Sequence, residues 1–410
     1  MSNEISQRVC PVAKKCSGCQ LSNLSYKEQI DFKYKKVSKL LSKFCEVSPV
    51  IPMKNPYNYR NKASIAYRYD IKLGRVVSGV YQSTTHAIIP VDKCFLNDKL
   101  SDEIAVTVRK LLKSFKISCY NEKNGSGFLR YIMVRRSFTT NQTMVVIVGA
   151  NPILPAKNNF VKALVSAHPE ITTIVLNVNK TDKNIMLSQN TKTLYGKGYI
   201  EDILCGCKFK ISPQSFYQVN PVQAEVLYQK AIELAKLNRN DILLDAYCGT
   251  GTIGIACAKK VKKVISVEVN KDAVKDAISN VKANGLENVR VYCADATAFI
   301  DDYEDSDLEK PSVIILDPPR AGSTEDFLDA AASLEPDRIV YVSCNPETLA
   351  RDLEFITEYG YEVKKIVPVD MFPHTNHVET VILLSRKDVH ERIKFDVNVE
   401  DLKNFSNRKT

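Results

Sequence analysis

No stretch of this 410-residue chain stays apolar for the roughly 20 residues that a membrane-spanning helix needs, which excludes a helical membrane protein. The opening residues, MSNEISQRVC, are too polar for a secretory signal peptide. Internal repeats are missing, so solenoid and propeller arrays are excluded. Low-complexity linkers are missing too. What remains is an ordinary soluble composition, 44% apolar and 25% charged, with length enough for two or three domains. These absences point to a cytoplasmic, reducing location with no membrane and no obligate protein partner. In that setting the twelve cysteines read as ligands, nucleophiles or packing residues rather than disulfides.

Charge is unevenly spread. The net charge is +10, but residues 1–210 hold 33 Lys and Arg against 14 Asp and Glu, while residues 211–410 hold 24 against 33. A basic first half joined to an acidic second half suggests a polyanion-binding platform attached to a catalytic module.

Residues 21–45 show helical spacing with a basic face. From about 59 to 210, short β-type runs such as NKASIAYRYD, FLRYIMVRRSF and TMVVIVGA alternate with polar turns, the pattern of an antiparallel sheet. Two basic-aromatic clusters lie there: Tyr59, Arg60, Asn61 and Lys62, and then Arg130, Tyr131, Arg135, Arg136 and Phe138. Base stacking and phosphate contact need these residue types, although an exposed strand face uses them as well.

Beyond about 213, strands and helices alternate, which predicts a parallel, doubly wound α/β sheet. The last two runs, YEVKKIVPV and HVETVILLS, have no helix between them and predict a terminal antiparallel hairpin. DAYCGTGTIG places Gly249, Gly251 and Gly254 between a strand and a helix, a setting for close backbone approach to a nucleotide-type ligand. Glu268 and Asp295 end the next two strands. The glycines fit a dinucleotide oxidoreductase as well as an S-adenosylmethionine (SAM) methyltransferase. The terminal hairpin and LDPPRAG, which sets Asp317 at a strand end, favour the methyltransferase.

VYVSCNPETLARDL puts Cys344 at the lip of a strand, before Asn345 and Pro346 start a helix. Orphan N–H groups and the positive helix end there favour thiolate; the bland reading is a half-buried core cysteine. Methylating C5 of a pyrimidine needs such a thiol, because addition at C6 makes C5 nucleophilic, and it needs a base to remove the C5 proton afterwards. DMFPHTNHVET offers His374, His377 and Glu379 as candidate bases. An amino-group nucleic-acid methyltransferase would need no thiol, and an RNA-binding assembly factor would need none of this machinery.

Together LLDAYCGTGTIG, LDPPRAG, VYVSCNPETLARDL, DMFPHTNHVETVILL and SFYQVNP resemble the bacterial RNA 5-methyluridine methyltransferase family. The resemblance implies a Rossmann-like SAM-dependent domain, with Cys344 as nucleophile and Glu379 as proton acceptor. It implies SAM contacts from Gln218, Tyr247, Gly249, Gly251, Glu268 and Asp317, with Asp295 as a further contributor. Residues 1–50 would then be a cysteine segment and linking helix, 51–211 a β-rich RNA-binding domain, 212–388 the catalytic domain and 389–410 a tail.

CPVAKKCSGC sets Cys10, Cys16 and Cys19 in a C-x5-C-x2-C array, with Cys94 as a possible fourth ligand. Four thiolates suit an iron–sulfur cluster or Zn2+, and spacing alone does not choose. The family resemblance implies a 4Fe-4S cluster and 23S ribosomal RNA as substrate, with transfer RNA as the alternative. Some ribosomal members begin with a small β-barrel, for which Cys10 is expected to leave no room. The remaining cysteines read as packing residues.

Overall fold

The computed structural model describes residues 8–82, 85, 87–180, 187–304 and 308–387. The expected tail, 389–410, lies outside them. No helix among them is long and apolar enough to cross a membrane.

Helix α1 (Tyr26–Leu41) opens with a capping box in which Ser25 and Glu28 satisfy each other's backbone N–H groups. It buries Gln29, Lys33, Val37 and Leu41, one stripe at four-residue spacing. Val47 and Ile51, just beyond it, form single parallel bridges to Ile366 and Val369.

The first sheet is built from β1 (Lys62–Asp70), β2 (Arg75–Tyr81), β3 (Ile88–Pro90), β4 (Leu129–Arg136), β5 (Thr143–Gly149), β6 (Ile171–Val178) and β7 (Thr191–Tyr195), in the order β3-β2-β1-β4-β5-β6-β7. Its pairs are antiparallel apart from β5 and β6, which are parallel. Two helices depart from the all-strand expectation: α2 (Lys99–Ser114) and α3 (Lys157–Ala167), the latter joining β5 to β6. β-branched residues such as Ile104 and Val108 disguise α2. Even so, Leu100, Ile104, Val108 and Leu112 fall on one buried helical stripe, and Asp98 caps its start. A separate hairpin follows, β8 (Ile200–Leu204) and β9 (Cys207–Ile211).

The second sheet follows the expected alternation. Helix α4 (Pro221–Ala235) leads into β10 (Ile242–Ala246), α5 (Thr252–Cys257), β11 (Lys263–Glu268), α6 (Lys271–Ala283), β12 (Val289–Cys293), α7 (Ala296–Glu304) and β13 (Val313–Leu316). The chain continues through α8 (Glu325–Ser333), β14 (Arg338–Ser343), α9 (Pro346–Glu358), β15 (Tyr361–Val369) and β16 (Glu379–Arg386). The order is β12-β11-β10-β13-β14-β16-β15, with β10 to β14 parallel. β16 inserts antiparallel between β14 and β15, so the hairpin supplies an interior strand as well as the edge. Strand order reverses between β10 and β13, and in such sheets a crevice opens there at the strands' carboxyl ends.

A buried ion pair ties α1 to this sheet. Lys33 Nζ donates to Asp370 Oδ1 at 2.5 Å and to the Phe372 carbonyl at 2.9 Å, while the Tyr26 hydroxyl donates to Asp370 Oδ2 at 2.8 Å. Both charged side chains are fully buried. Replacing Lys33 by Met strands Asp370 without its counter-charge, and we expect a loss of about 3–5 kcal/mol in urea unfolding. A Lys33→Met/Asp370→Leu double variant, which removes both charges, should recover most of it.

Candidate active site

The carboxyl ends of β10, β13 and β14 converge on one cavity of about 780 Å3. Sheet register brings the reacting groups together. Ser343 pairs with Thr380 across β14 and β16, so the next residues along, Cys344 and Glu379, face each other where β14 ends and the antiparallel strand begins. Likewise Ala246 pairs with Leu316, which sets Tyr247 beside Asp317. Cys344, Glu379, Asp317, Tyr247, Gly249, Glu268 and Gln218 all line the cavity.

The Gly-rich turn is built tightly. Gly249 has φ 56°, and its N–H donates to Glu268 Oε2 at 3.0 Å. Glu268 Oε1 accepts from the Asn270 N–H at 2.8 Å, which fixes the carboxylate at the end of β11. At Gly254 a Cβ would fall 2.6 Å from Asp245 Oδ2, so only glycine lets helix α5 start against that carboxylate. Tyr247 holds φ 60°, a strained value for a side-chain-bearing residue. Its hydroxyl lies 3.3 Å from Ser323 Oγ and its ring packs on Phe327.

Electrostatics set the acid–base roles. Burial, reinforced by Asp317, pushes the Glu379 carboxyl up to about 8. Burial alone raises Asp317 to about 7. The Cys344 thiol is pushed up to about 11, by burial first and then by Glu379 and Asp317, against a downward pull from Arg320. The acidification expected from the helix start is therefore outweighed. Asn345 caps α9 through the Glu347 N–H, and burial, with the neighbouring carboxylates, dominates the thiol.

Two expected cofactor residues stand elsewhere. Asp295 does not line the cavity; its carboxylate accepts from the Thr297 and Ala298 N–H groups and caps α7. Gly251 is also off the lining, as the cap residue of α5. The two histidines are separated as well. His377 faces the reaction cavity, whereas His374 stacks on Tyr57 at 4.8 Å and lines a second cavity.

Comparison with known proteins fits this geometry. Residues 25–387 match the model of the tRNA (Uracil-5-)-methyltransferase family. The chain belongs to that family. An uncharacterized RNA methyltransferase of Clostridium acetobutylicum is 40% identical over 94% of this chain and 85% of its own length. One from Oceanobacillus iheyensis is 41% identical, over 93% and 84%. The crystal structure of Pyrococcus abyssi tRNA (uracil-54, C5)-methyltransferase with S-adenosyl-L-homocysteine is similar at TM-score 0.76 and 31% identity, covering 92% of this chain and 87% of that one. The chemistry of this family member is SAM-dependent methylation of uracil C5 in RNA.

Several lining residues of this methyltransferase were not singled out from the sequence. Asp245, raised to about 7 by burial, accepts from the Gly254 N–H at 2.9 Å. Its position one strand residue before the glycine turn could have marked it. Tyr228 reaches the cavity from within α4, and Asp276 from within α6, where it accepts from Ser212 Oγ at 3.0 Å. Neither stands in a recognisable motif. Phe216 is 65% exposed on the cavity rim.

The second cavity gathers Cys10, Cys16, Cys19 and Cys94 with Tyr26, Tyr57 and His374. Burial and the other three thiols push Cys19 up to about 12, with Arg60 opposing. Among the described residues no three His, Cys, Asp or Glu stand together as a ready-made metal-ion site. All four cysteines line one cavity, however, and no carboxylate does, a donor set suited to a thiophilic centre.

The basic-aromatic clusters turn out to be mostly structural. Arg135 is 2% exposed and donates to the Ser212 and Ser215 carbonyls at 3.2 and 2.9 Å. Arg136 pairs with Asp98 at 2.8 Å, Arg130 stacks on Tyr120, and the buried Tyr59 donates to the Pro373 carbonyl.

Proposed function

We propose that this methyltransferase works through a covalent Cys344–uridine adduct, with Glu379 as the proton acceptor, and that its substrate is 23S ribosomal RNA. The observation that carries the mechanism is the juxtaposition of Cys344 and Glu379 at the β14–β16 register, inside the cavity that Tyr247, Gly249, Glu268 and Asp317 also line. Those four, with Gln218, would hold the cofactor. Bound SAM would supply the methyl group and leave as S-adenosylhomocysteine. Arg320 favours loss of the Cys344 proton.

The thiolate adds to C6 of the uracil, and the C5–C6 electron pair moves onto O4 as an enolate. C5 then takes the methyl group. Glu379 removes the C5 proton, the C5–C6 double bond reforms, and the Cys344–C6 bond breaks to return the thiolate. Cys344 and Glu379 lie at strand ends within the cavity, with Glu379 buried, so a base stacked in RNA cannot reach them and the target uridine must leave its stack.

We also propose a 4Fe-4S cluster held by Cys10, Cys16, Cys19 and Cys94, a reading that rests on the family resemblance and on the four cysteines lining one cavity. We assign it a structural or RNA-positioning role, because the covalent cycle moves no net electrons. A second substrate reading, transfer RNA, is favoured by the similarity to the Pyrococcus abyssi enzyme, whose name specifies tRNA uracil-54.

The deciding experiment supplies methyl-labelled SAM and separate unmodified 23S rRNA and tRNA transcripts to anaerobically purified protein, then identifies the labelled nucleosides. Label in 5-methyluridine from 23S rRNA is expected. Label from tRNA alone would move the substrate and keep the chemistry; label in any nucleoside other than 5-methyluridine would overturn the mechanism.

A further inference from the structure

One part of the basic clusters is not explained by packing. Arg60 and Lys62 lie two residues apart where β1 begins, and Lys62 stands directly across from Arg135 of β4. Like charges opposed in an antiparallel pair are unfavourable. Arg135 is satisfied by carbonyl groups, with the Asp276 carboxylate acting on it from farther off. Among the described residues, no carboxylate forms an ion pair with Arg60, Lys62 or Arg135, although the adjacent Arg136 has Asp98. Burial first, and then Arg135 and Arg60, pull the Lys62 ammonium down to about 8. A cation cluster without an ion-paired carboxylate costs folding stability, and local costs of this kind are retained where function needs them.

Its position says what it would receive. Asn61, between the two cations, accepts nothing from the reaction cavity but donates its side-chain N–H to the Gln218 carbonyl at 3.2 Å and its backbone N–H to Val219 at 2.8 Å. Arg135 donates to Ser215. Ser215 and Gln218 line the reaction cavity, so the cations stand against the outside of its wall. The cavity itself presents Asp245, Glu268, Asp276, Asp317 and Glu379. A polyanion that delivers a base there needs a positive anchor beside the mouth.

We propose that Lys62, with Arg60 beside it and the buried Arg135 behind it, is a phosphate-binding subsite that anchors the RNA backbone beside the reaction cavity, Lys62 and Arg60 making the contact. The inference rests on the RNA reading above. Its test measures binding of unmodified 23S rRNA and tRNA transcripts across a salt series for wild type, Lys62→Gln and Lys62→Arg. Lys62→Gln is expected to weaken binding about tenfold at low salt and to flatten the log Kd–log salt slope by about 0.7–1, the share of one phosphate contact. Lys62→Arg should keep the slope. Because Lys62→Gln also relieves repulsion, it should melt no lower than wild type, unlike the loss of a structural lysine. An unchanged slope in Lys62→Gln, beside salt-dependent wild-type binding, would overturn the subsite and leave the RNA reading standing. A wild-type protein that binds neither RNA would overturn both.

Discussion

Cys344→Ala is expected to lower methyl transfer to uridine C5 by at least about 10^3-fold while leaving the affinity for S-adenosylhomocysteine unchanged. The two effects separate because the groups that would hold the cofactor sit on other strand ends. Tyr247 and Gly249 follow β10, Glu268 ends β11 and Asp317 follows β13, whereas Cys344 follows β14. The substitution removes one half-buried sulfur, worth roughly 1 kcal/mol at most, so the fold should persist. Single-turnover transfer from methyl-labelled SAM gives the first readout and calorimetric titration the second. Turnover that survived would put the chemistry on an acceptor that needs no C6 addition, such as an exocyclic amine, and the thiol would revert to packing.

The parallel sheet, its glycine turn and the terminal hairpin were legible because each is written locally. Strand-helix alternation, a glycine after an apolar run and two apolar runs without a helix between them all lie within short windows. The meeting of Cys344 with Glu379 was legible only through the known resemblance. Physically it depends on β16 inserting antiparallel beside β14, which no window of sequence encodes. The same limit explains Lys33 and Asp370, 337 residues apart, whose buried pairing makes α1 a support for the segment between β15 and β16.

The arginines of β4 show a different limit, and Asp295 an ambiguity of the same kind. A carboxylate after a strand looks the same whether it faces a ribose or caps the next helix. An Arg on a strand looks the same whether it faces solvent or, like Arg135, the carbonyls of Ser212 and Ser215. Residue type alone misjudged Cys344's ionisation as well, since the carboxylates that oppose the helix start come from β13 and β16.

Glu379→Gln is expected to stop the cycle at a later point, and so to give the opposite signature from the cysteine variant. The amide keeps the shape of the site and cannot accept the C5 proton. Methyl transfer should therefore proceed once, the Cys344–C6 bond should persist, and labelled RNA should travel with the protein on a denaturing gel. The Cys344→Ala/Glu379→Gln double variant should show no such band. Wild-type resolution of the adduct should accelerate as pH rises through about 8, because the Glu379 carboxyl must be ionised to act and burial with Asp317 holds it up at that value. The sign for stability is the reverse. A carboxyl whose folded pKa is raised from 4.5 to about 8 leaves the folded state holding more protons than the unfolded state between those values, so folding stability falls as pH rises through that window. Gln carries no charge to bury, so Glu379→Gln should melt at or above wild type at pH 8. An adduct that accumulates in a protein of undiminished stability then reports lost chemistry and not lost structure. Rapid product release from the same variant would remove Glu379 as the base and pass the role to another acceptor lining that cavity, His377 among them.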